Sequence, residues 1–158
     1  MVVTTNKYLH NSIGTEHLEA DSITNAKTDA IAMKYLRFEY DFAVLGGAAS
    51  AITLTALDGT AQTIPDNAVI TNVWLEGVTD NTSGGSATVA LGYTGAATAF
   101  LGATAFDHAM WNVNAVTKQT VVVATGKTTA AVSVLATIAT AALTAGKWYV
   151  WVEYFEGA

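Results

Sequence analysis

Residues 147–155 read KWYVWVEYF and form an aromatic-rich stretch near the end of the chain. In a β-strand successive side chains point to opposite faces, which divides these aromatic residues into two sets. Trp148 and Tyr154 fall on one face, and Tyr149, Trp151 and Phe155 fall on the other. Because both faces are largely apolar, we expect a strand that is either central in the core or exposed at an oligomer interface. A sugar-binding platform is the alternative, since aromatic rings also stack on sugars.

The same alternation marks residues 35–44. The even-numbered positions of this run are apolar, whereas Arg37, Glu39 and Asp41 occupy odd-numbered ones. This pattern predicts a half-buried strand with one wet face, which a glycine pair at 46–47 ends.

Further strands are predicted where short β-branched or alternating runs are bounded by Gly, Asn or Asp turns. These runs are residues 52–57, 62–64, 69–79, 87–92, 116–124 and 129–136. The loop 80–85 and the turn 126–127 each predict a hairpin that joins the strands on either side. Residues 97–109 are ambiguous and fit a short strand followed by one helical turn near residues 106–110.

The count of about eight strands, separated by turns at regular spacing, predicts an all-β fold: a single, jelly-roll-like β-sandwich. Strands do not alternate with helical patterns, which argues against a parallel α/β fold. With 158 residues, the chain is long enough for one domain with a core of ordinary size.

Residues 1–33 differ from the rest because they are polar and contain few large apolar side chains within their length. The apolar side chains that we expect to contact another surface are Ile13, Leu18, Ile23 and Ile31. The first three recur every five residues, a spacing that neither a helix nor a strand produces. Such a segment cannot form its own core, so we expect an extended arm, with a short helix around 21–34 as an option, that orders against another surface. Residues 34–158 then form the sandwich domain.

The composition favours a protein that associates with other chains. Only 13% of its residues are charged, against an average of about 25%, and 51% are hydrophobic. A small monomer hides so much apolar surface with difficulty, and exposed apolar patches usually mark interfaces. The net charge of −6, with seven scattered basic residues, argues against nucleic acid as a partner.

A membrane partner is also not expected. The start of the chain lacks the basic and apolar regions of a signal peptide. The most apolar run, residues 130–146, is slightly short for a membrane span and is interrupted by threonines and a serine, so we interpret it as two buried strands joined by a turn.

The sequence gives only weak signals for a catalytic or metal-binding site. The chain has no cysteine, and His10, His17 and His108 are too dispersed for a zinc site. The Asp107-His108 pair does not make a catalytic dyad in a strand, because neighbouring side chains point to opposite faces. We therefore expect no enzyme activity, no cofactor and no resident metal, although calcium at the acidic turns is left open.

Several short runs carry a family resemblance. Residues 64–73 read IPDNAVITNV, residues 87–92 read ATVALG after a Gly/Ser loop, and residues 143–147 read LTAGK before the last strand. In these runs the chain resembles the small β-sandwich virion structural proteins of tailed phages. Residues 20–27, ADSITNAK, are similar to stretches near the start of phage fibre and head-decoration proteins.

The resemblance implies a virion surface protein, commonly a homotrimer, that sits on the capsid or tail. The expected location is the capsid surface, after synthesis in the host cytoplasm. As a capsid decoration or cement protein, it would bind the major capsid protein or other virion subunits through the arm residues Ile13, Leu18, Ile23 and Ile31. A head or tail fibre, or a receptor-binding module with a glycan-binding aromatic surface, is the alternative.

Overall fold

A computed structural model describes residues 32–120 and 127–157 of the chain. This part holds nine β-strands, one short α-helix and one 3-10 helix. The strands are β1 (Lys34–Asp41), β2 (Ala51–Thr53), β3 (Thr63–Ile64), β4 (Ala68–Ser83), β5 (Thr88–Tyr93), β6 (Ala96–Ala105), β7 (Val116–Gln119), β8 (Val132–Ala139) and β9 (Leu143–Glu156). The α-helix α1 is Phe42–Leu45, and the 3-10 helix is Ala109–Trp111.

The strands form two antiparallel sheets that pack face to face, which confirms the predicted all-β sandwich. The four-stranded sheet has the order β1-β9-β4-β7. The five-stranded sheet has the order β2-β8-β5-β6, and β3 also pairs with β8. The predicted last strand is β9, and it is central in its sheet because it pairs with β1 on one side and β4 on the other.

Both predicted hairpins are wrong. The strands around loop 80–85 are β4 and β5, and they lie in different sheets. The strands before and after the turn 126–127 are β7 and β8, which also lie in different sheets. The chain crosses between the sheets at most connections, as in a jelly roll, because each strand must cover apolar surface on the opposite layer. A hairpin forms instead between β5 and β6, where Tyr93 is paired with Ala96.

Several strand ends also differ from the predicted ones, and the strand predicted at 52–57 already ends at Thr53 in β2. The strand expected to run to residue 44 stops at Asp41, because its carboxylate accepts a hydrogen bond from the Ala43 backbone N–H (2.9 Å) and caps α1. The predicted loop 80–85 begins too early, since β4 continues to Ser83 along β9. The Ser83 hydroxyl donates to the Ala142 carbonyl oxygen (2.7 Å) at this end of the pair.

The core lies between the sheets and is built mainly from alternate positions of the strands, together with Trp111 from the 3-10 helix and Leu54, which follows β2. Its largest fully buried side chains are Trp111, Trp148, Tyr40, Phe38, Phe100, Leu54, Ile64, Leu75, Leu91, Ile138, Val73 and Val89. The inward positions of β9 alternate with outward ones in the order that its sequence predicts.

Trp148 is the centre of an aromatic cluster in this core. Its ring stacks on Tyr40 with centroids 4.6 Å apart and makes a tilted contact with Trp111 at 5.3 Å. Its indole N–H donates to Asn81 Oδ1 (3.2 Å). A side chain at Gly146, whose φ is +143°, would place its Cβ 2.0 Å from that oxygen, so glycine in the LTAGK run makes room for the contact.

The IPDN run forms a turn that is held by Thr128. The Thr128 hydroxyl donates to the Pro65 carbonyl oxygen (2.7 Å) and accepts from the Ala68 backbone N–H (2.8 Å). Asn67 adopts a φ of 60°, a conformation that asparagine tolerates better than most residues. The longest strand, β4, begins directly after this turn.

Some predicted features lie outside the described residues. They are residues 1–31 of the arm, with Ile13, Leu18, Ile23 and Ile31, and residues 121–126 of the strand predicted at 116–124. The described sandwich begins with β1 at Lys34.

We expect the substitution Trp148→Leu to lower the free energy of unfolding by about 3–4 kcal/mol, because it leaves a cavity in the aromatic cluster. Trp151→Leu, on the other face of β9, is the matched control and should cost about 1 kcal/mol. Urea unfolding followed by circular dichroism measures both. Equal losses would contradict the assignment of Trp148 as the centre of the core.

Gly77 in β4 provides a second test. An added Cβ there would lie 2.0 Å from the Asn112 carbonyl oxygen, in the loop whose Ala115 carbonyl accepts from the Gly77 N–H (2.8 Å). We expect Gly77→Ala to lower the free energy of unfolding by about 2–3 kcal/mol through overpacking. Gly102→Ala has open space and should change it by less than about 0.5 kcal/mol in the same urea titration. Similar values for the two variants would rule out this close approach.

Candidate protein-binding face

The side of the four-stranded sheet that points away from the core carries aromatic and charged side chains in three rows across the strands. We call it the outer face. The registers of β1, β9, β4 and β7 place the rows as follows: Tyr35, Glu153 and Asn72; then Arg37, Trp151, Trp74 and Lys118; then Glu39, Tyr149, Glu76 and Val116. Phe155 continues the face along β9.

The middle row has a cation at each end and two tryptophans between them. The Arg37 guanidinium carbon lies 4.8 Å from the ring centroid of Trp151 and 5.0 Å from that of Tyr149. The Lys118 ammonium lies 5.9 Å from the ring centroid of Trp74. Such cation–π contacts hold the cations over the aromatic rings without neutralising their charge.

The carboxylates of the other two rows are occupied by neighbouring donors. Glu153 accepts from the Tyr35 hydroxyl (3.2 Å) and from the Asn72 side-chain amide. Its hydrogen bond and charge raise the pKa of Tyr35 above the ordinary value. Glu76 accepts from the Trp151 indole N–H (2.8 Å), which fixes the orientation of that ring.

An ion-pair cluster borders the face where β1 ends. The Lys147 ammonium lies 3.0 Å from Glu39 Oε1 and 2.8 Å from Asp41 Oδ2. The hydrogen bond with Lys147 lowers the pKa of Asp41, and the two carboxylates raise the pKa of Lys147. On the core side of the same strand, burial raises the pKa of Tyr40 to about 12, and its hydroxyl donates to the Gly46 carbonyl oxygen (2.8 Å).

The aromatic residues predicted at the core or an interface divide between these two environments. Trp148 and Tyr154 are buried in the core. Tyr149, Trp151 and Phe155 are half-buried on the outer face. Their contact with another subunit remains a prediction, as does that of the arm residues.

Sequence reasoning missed Arg37, Trp74 and Lys118 as members of one surface. They belong to three strands that are far apart in the chain, and only the register of the sheet brings them into one row with Trp151. The signal available in the sequence was the alternation in each strand, which shows what faces outward but not what lies beside it.

The imidazole of His108, one half of the pair considered for catalysis, has a structural contact. His108 lies in a turn rather than a strand, and its Nδ1 accepts from the Met110 backbone N–H (3.2 Å) at the start of the 3-10 helix. Glu39 and Asp41 share Lys147. Within residues 32–120 and 127–157, no group of three His, Asp or Glu side chains could hold a metal ion. None of the described helices has the length and apolar character needed to cross a membrane.

No protein-family model matches the sequence, and no curated protein matches it. Solved structures do share its fold. A chain of the cyanophage Pam1 capsid asymmetric unit is 20% identical, with a TM-score of 0.56, and the match covers 78% of this chain and 84% of that chain. A chain of the acid-stable capsid of Helicobacter pylori bacteriophage KHP30 is 18% identical, with a TM-score of 0.54 and coverage of 80% and 90%.

A third similar structure is a chain of the capsid of Ralstonia phage GP4, which is 19% identical. Its TM-score is 0.53, and the match covers 82% of this chain and 87% of that chain. The chain therefore shares its β-sandwich fold with chains found in three phage capsids, and the resemblance drawn from the sequence is confirmed at the level of the fold.

Proposed function

We propose that this protein is a structural component of a phage virion, and specifically a decoration or cement protein that binds the capsid shell and stabilises it. The observation that carries the proposal is the shared fold, which extends over about four fifths of this chain in matches to three phage capsid structures. Because a fold hosts many functions, the surface of this chain must supply the rest of the argument.

The surface favours binding to proteins over chemistry. The outer face combines tryptophan, tyrosine and arginine, the residue types enriched at the centres of protein interfaces. Val116 is an exposed apolar side chain of this face, and Val44, Leu57 and Val113 are exposed elsewhere. A chain with so few charges gains by covering such surface against neighbouring subunits.

The arm supplies the attachment in this proposal. Ile13, Leu18, Ile23 and Ile31 bury their side chains on the major capsid protein or on a neighbouring virion subunit, and this burial offsets the entropy lost when the arm orders. Sandwich domains associate as a homotrimer, so three arms act together and weak single contacts add up to strong attachment. The location that follows is the capsid surface, after synthesis in the host cytoplasm.

A glycan-binding head or tail fibre is less well supported by the outer face. The Arg37 guanidinium lies over the rings of Tyr149 and Trp151, which occupies aromatic surface that a sugar would need for stacking. A glycan array with the full chain separates the two functions. Specific binding to a defined glycan would favour the fibre, and a negative array favours the decoration protein.

Deletion of residues 1–32 should reduce the occupancy of this protein on purified shells at least about tenfold, because multivalent attachment is lost. Electron cryomicroscopy of the decorated particles measures the occupancy and shows whether the density lies between capsomers.

A full-length variant in which Ile13, Leu18, Ile23 and Ile31 are all changed to serine is the matched control for chain length. It should lose occupancy to a similar extent, since the apolar side chains carry the contact. Full occupancy of the truncated protein would refute attachment through the arm, and no density on intact particles would refute the decoration function itself.

A further inference from the structure

Two cations of the outer face lack a carboxylate partner among the described residues. Arg37 makes only its ring contacts with Trp151 and Tyr149, and Lys118 makes only its contact with Trp74. The carboxylates on or beside the face are engaged with other groups, namely Glu39, Asp41, Glu76, Glu153 and Glu156. The face therefore has unused positive charge, and it fits a ligand that brings carboxylates of its own.

The order of side chains in the middle row sets the shape of such a ligand. Arg37, Trp151, Trp74 and Lys118 lie on four adjacent strands, so the two cations are separated by three strand spacings, or about 14 Å. The complementary ligand has two acidic groups at about this distance with an apolar group between them.

The arm of this chain contains that pattern. Residues 16–21 read EHLEAD, with Glu16 and Asp21 on either side of Leu18, and with Glu19 as a third carboxylate. Five residues of extended chain span about 17 Å, which is enough to reach both cations. Because side chains alternate along an extended chain, Glu16 and Leu18 share one side, and a rotation of the backbone after Leu18 turns Asp21 to the same face. Leu18 then lies between the two tryptophans.

The covalent link between the arm and the sheet favours contact of residues 16–21 with the outer face of the same molecule. The arm leads into β1, the edge strand that carries Arg37. The thirteen steps from Asp21 to Lys34 span up to about 43 Å when extended, which exceeds the width of a four-stranded sheet. A tether of this length gives an effective concentration on the order of millimolar, so even a weak contact is populated.

We propose that the acidic segment 16–21 docks on the outer face of its own chain, with its carboxylates on Arg37 and Lys118 and with Leu18 between the rings of Trp151 and Trp74. Neutral glycans lack the charge for this site, and a nucleic acid is repelled by the net charge of −6. The proposal holds whether or not the protein decorates a shell, because it concerns the free subunit. In a virion, contacts of the arm with the shell compete with this docked state.

Carbodiimide cross-linking of the full chain tests the contact. The reagent joins a lysine amine to a nearby carboxylate as an amide and takes up the water that is released. An equal mixture of 14N- and 15N-labelled protein distinguishes links within one chain from links between chains by mass spectrometry. We expect links from Lys118 to Glu16, Glu19 or Asp21 within one isotopic form. The Lys147–Asp41 pair, 2.8 Å apart, is the internal reference.

Arg37→Gln should lower the yield of these links about tenfold relative to the reference, since a charge-assisted contact is lost. Thr98→Glu, at an exposed position of β6, changes the net charge by the same amount and should leave the yield unchanged. Leu18→Ser should reduce the yield several-fold, because the apolar contact of Leu18 with the tryptophans is lost.

Three results would overturn the proposal. One is the absence of links between Lys118 and the segment while the reference pair is linked. Another is a yield that neither Arg37→Gln nor Leu18→Ser reduces. The third is a set of links found only between the two isotopic forms, which would assign the segment to the face of a second copy. Shell occupancy does not enter any of these readouts, so the test is independent of the decoration function.

Discussion

The burial of Trp148 organises the sandwich. Its ring stacks on Tyr40 from β1, contacts Trp111 from the 3-10 helix, and donates its N–H to Asn81 in β4. One side chain therefore ties together three segments that are far apart in the sequence. Because the indole is fully buried, its N–H needs that acceptor, and Gly146 must leave room for it.

The position of β9 at the centre of its sheet gives this strand two distinct roles. Its even-numbered residues build the core, and its odd-numbered residues build the middle of the outer face. The same alternation that stabilises the fold therefore produces an aromatic surface in contact with solvent. Neighbouring strands complete that surface with Arg37 and Lys118, whose charges stay available because the nearby carboxylates have other partners.

A surface of this kind suits a protein whose role is contact. Aromatic rings provide apolar contact area at a small loss of side-chain entropy. Cations held above the rings orient the carboxylates of an acidic partner. A fold shared with chains of phage capsids fits the same interpretation. In the proposed docked state, the acidic segment of the arm covers this face of the free subunit.

The sequence alone determined the all-β class, the strand alternation and the separation of the faces of β9, because these depend on local patterns of apolar and polar residues. Both predicted hairpins were wrong because a turn signal is also local. It shows where the chain bends, but it does not show which sheet the next strand joins. The end of β1 was also missed, since Asp41 continues the alternation and also caps a helix. Tertiary structure decided the strand order, the register and hence the row from Arg37 to Lys118, because these depend on contacts between residues that are distant in the chain.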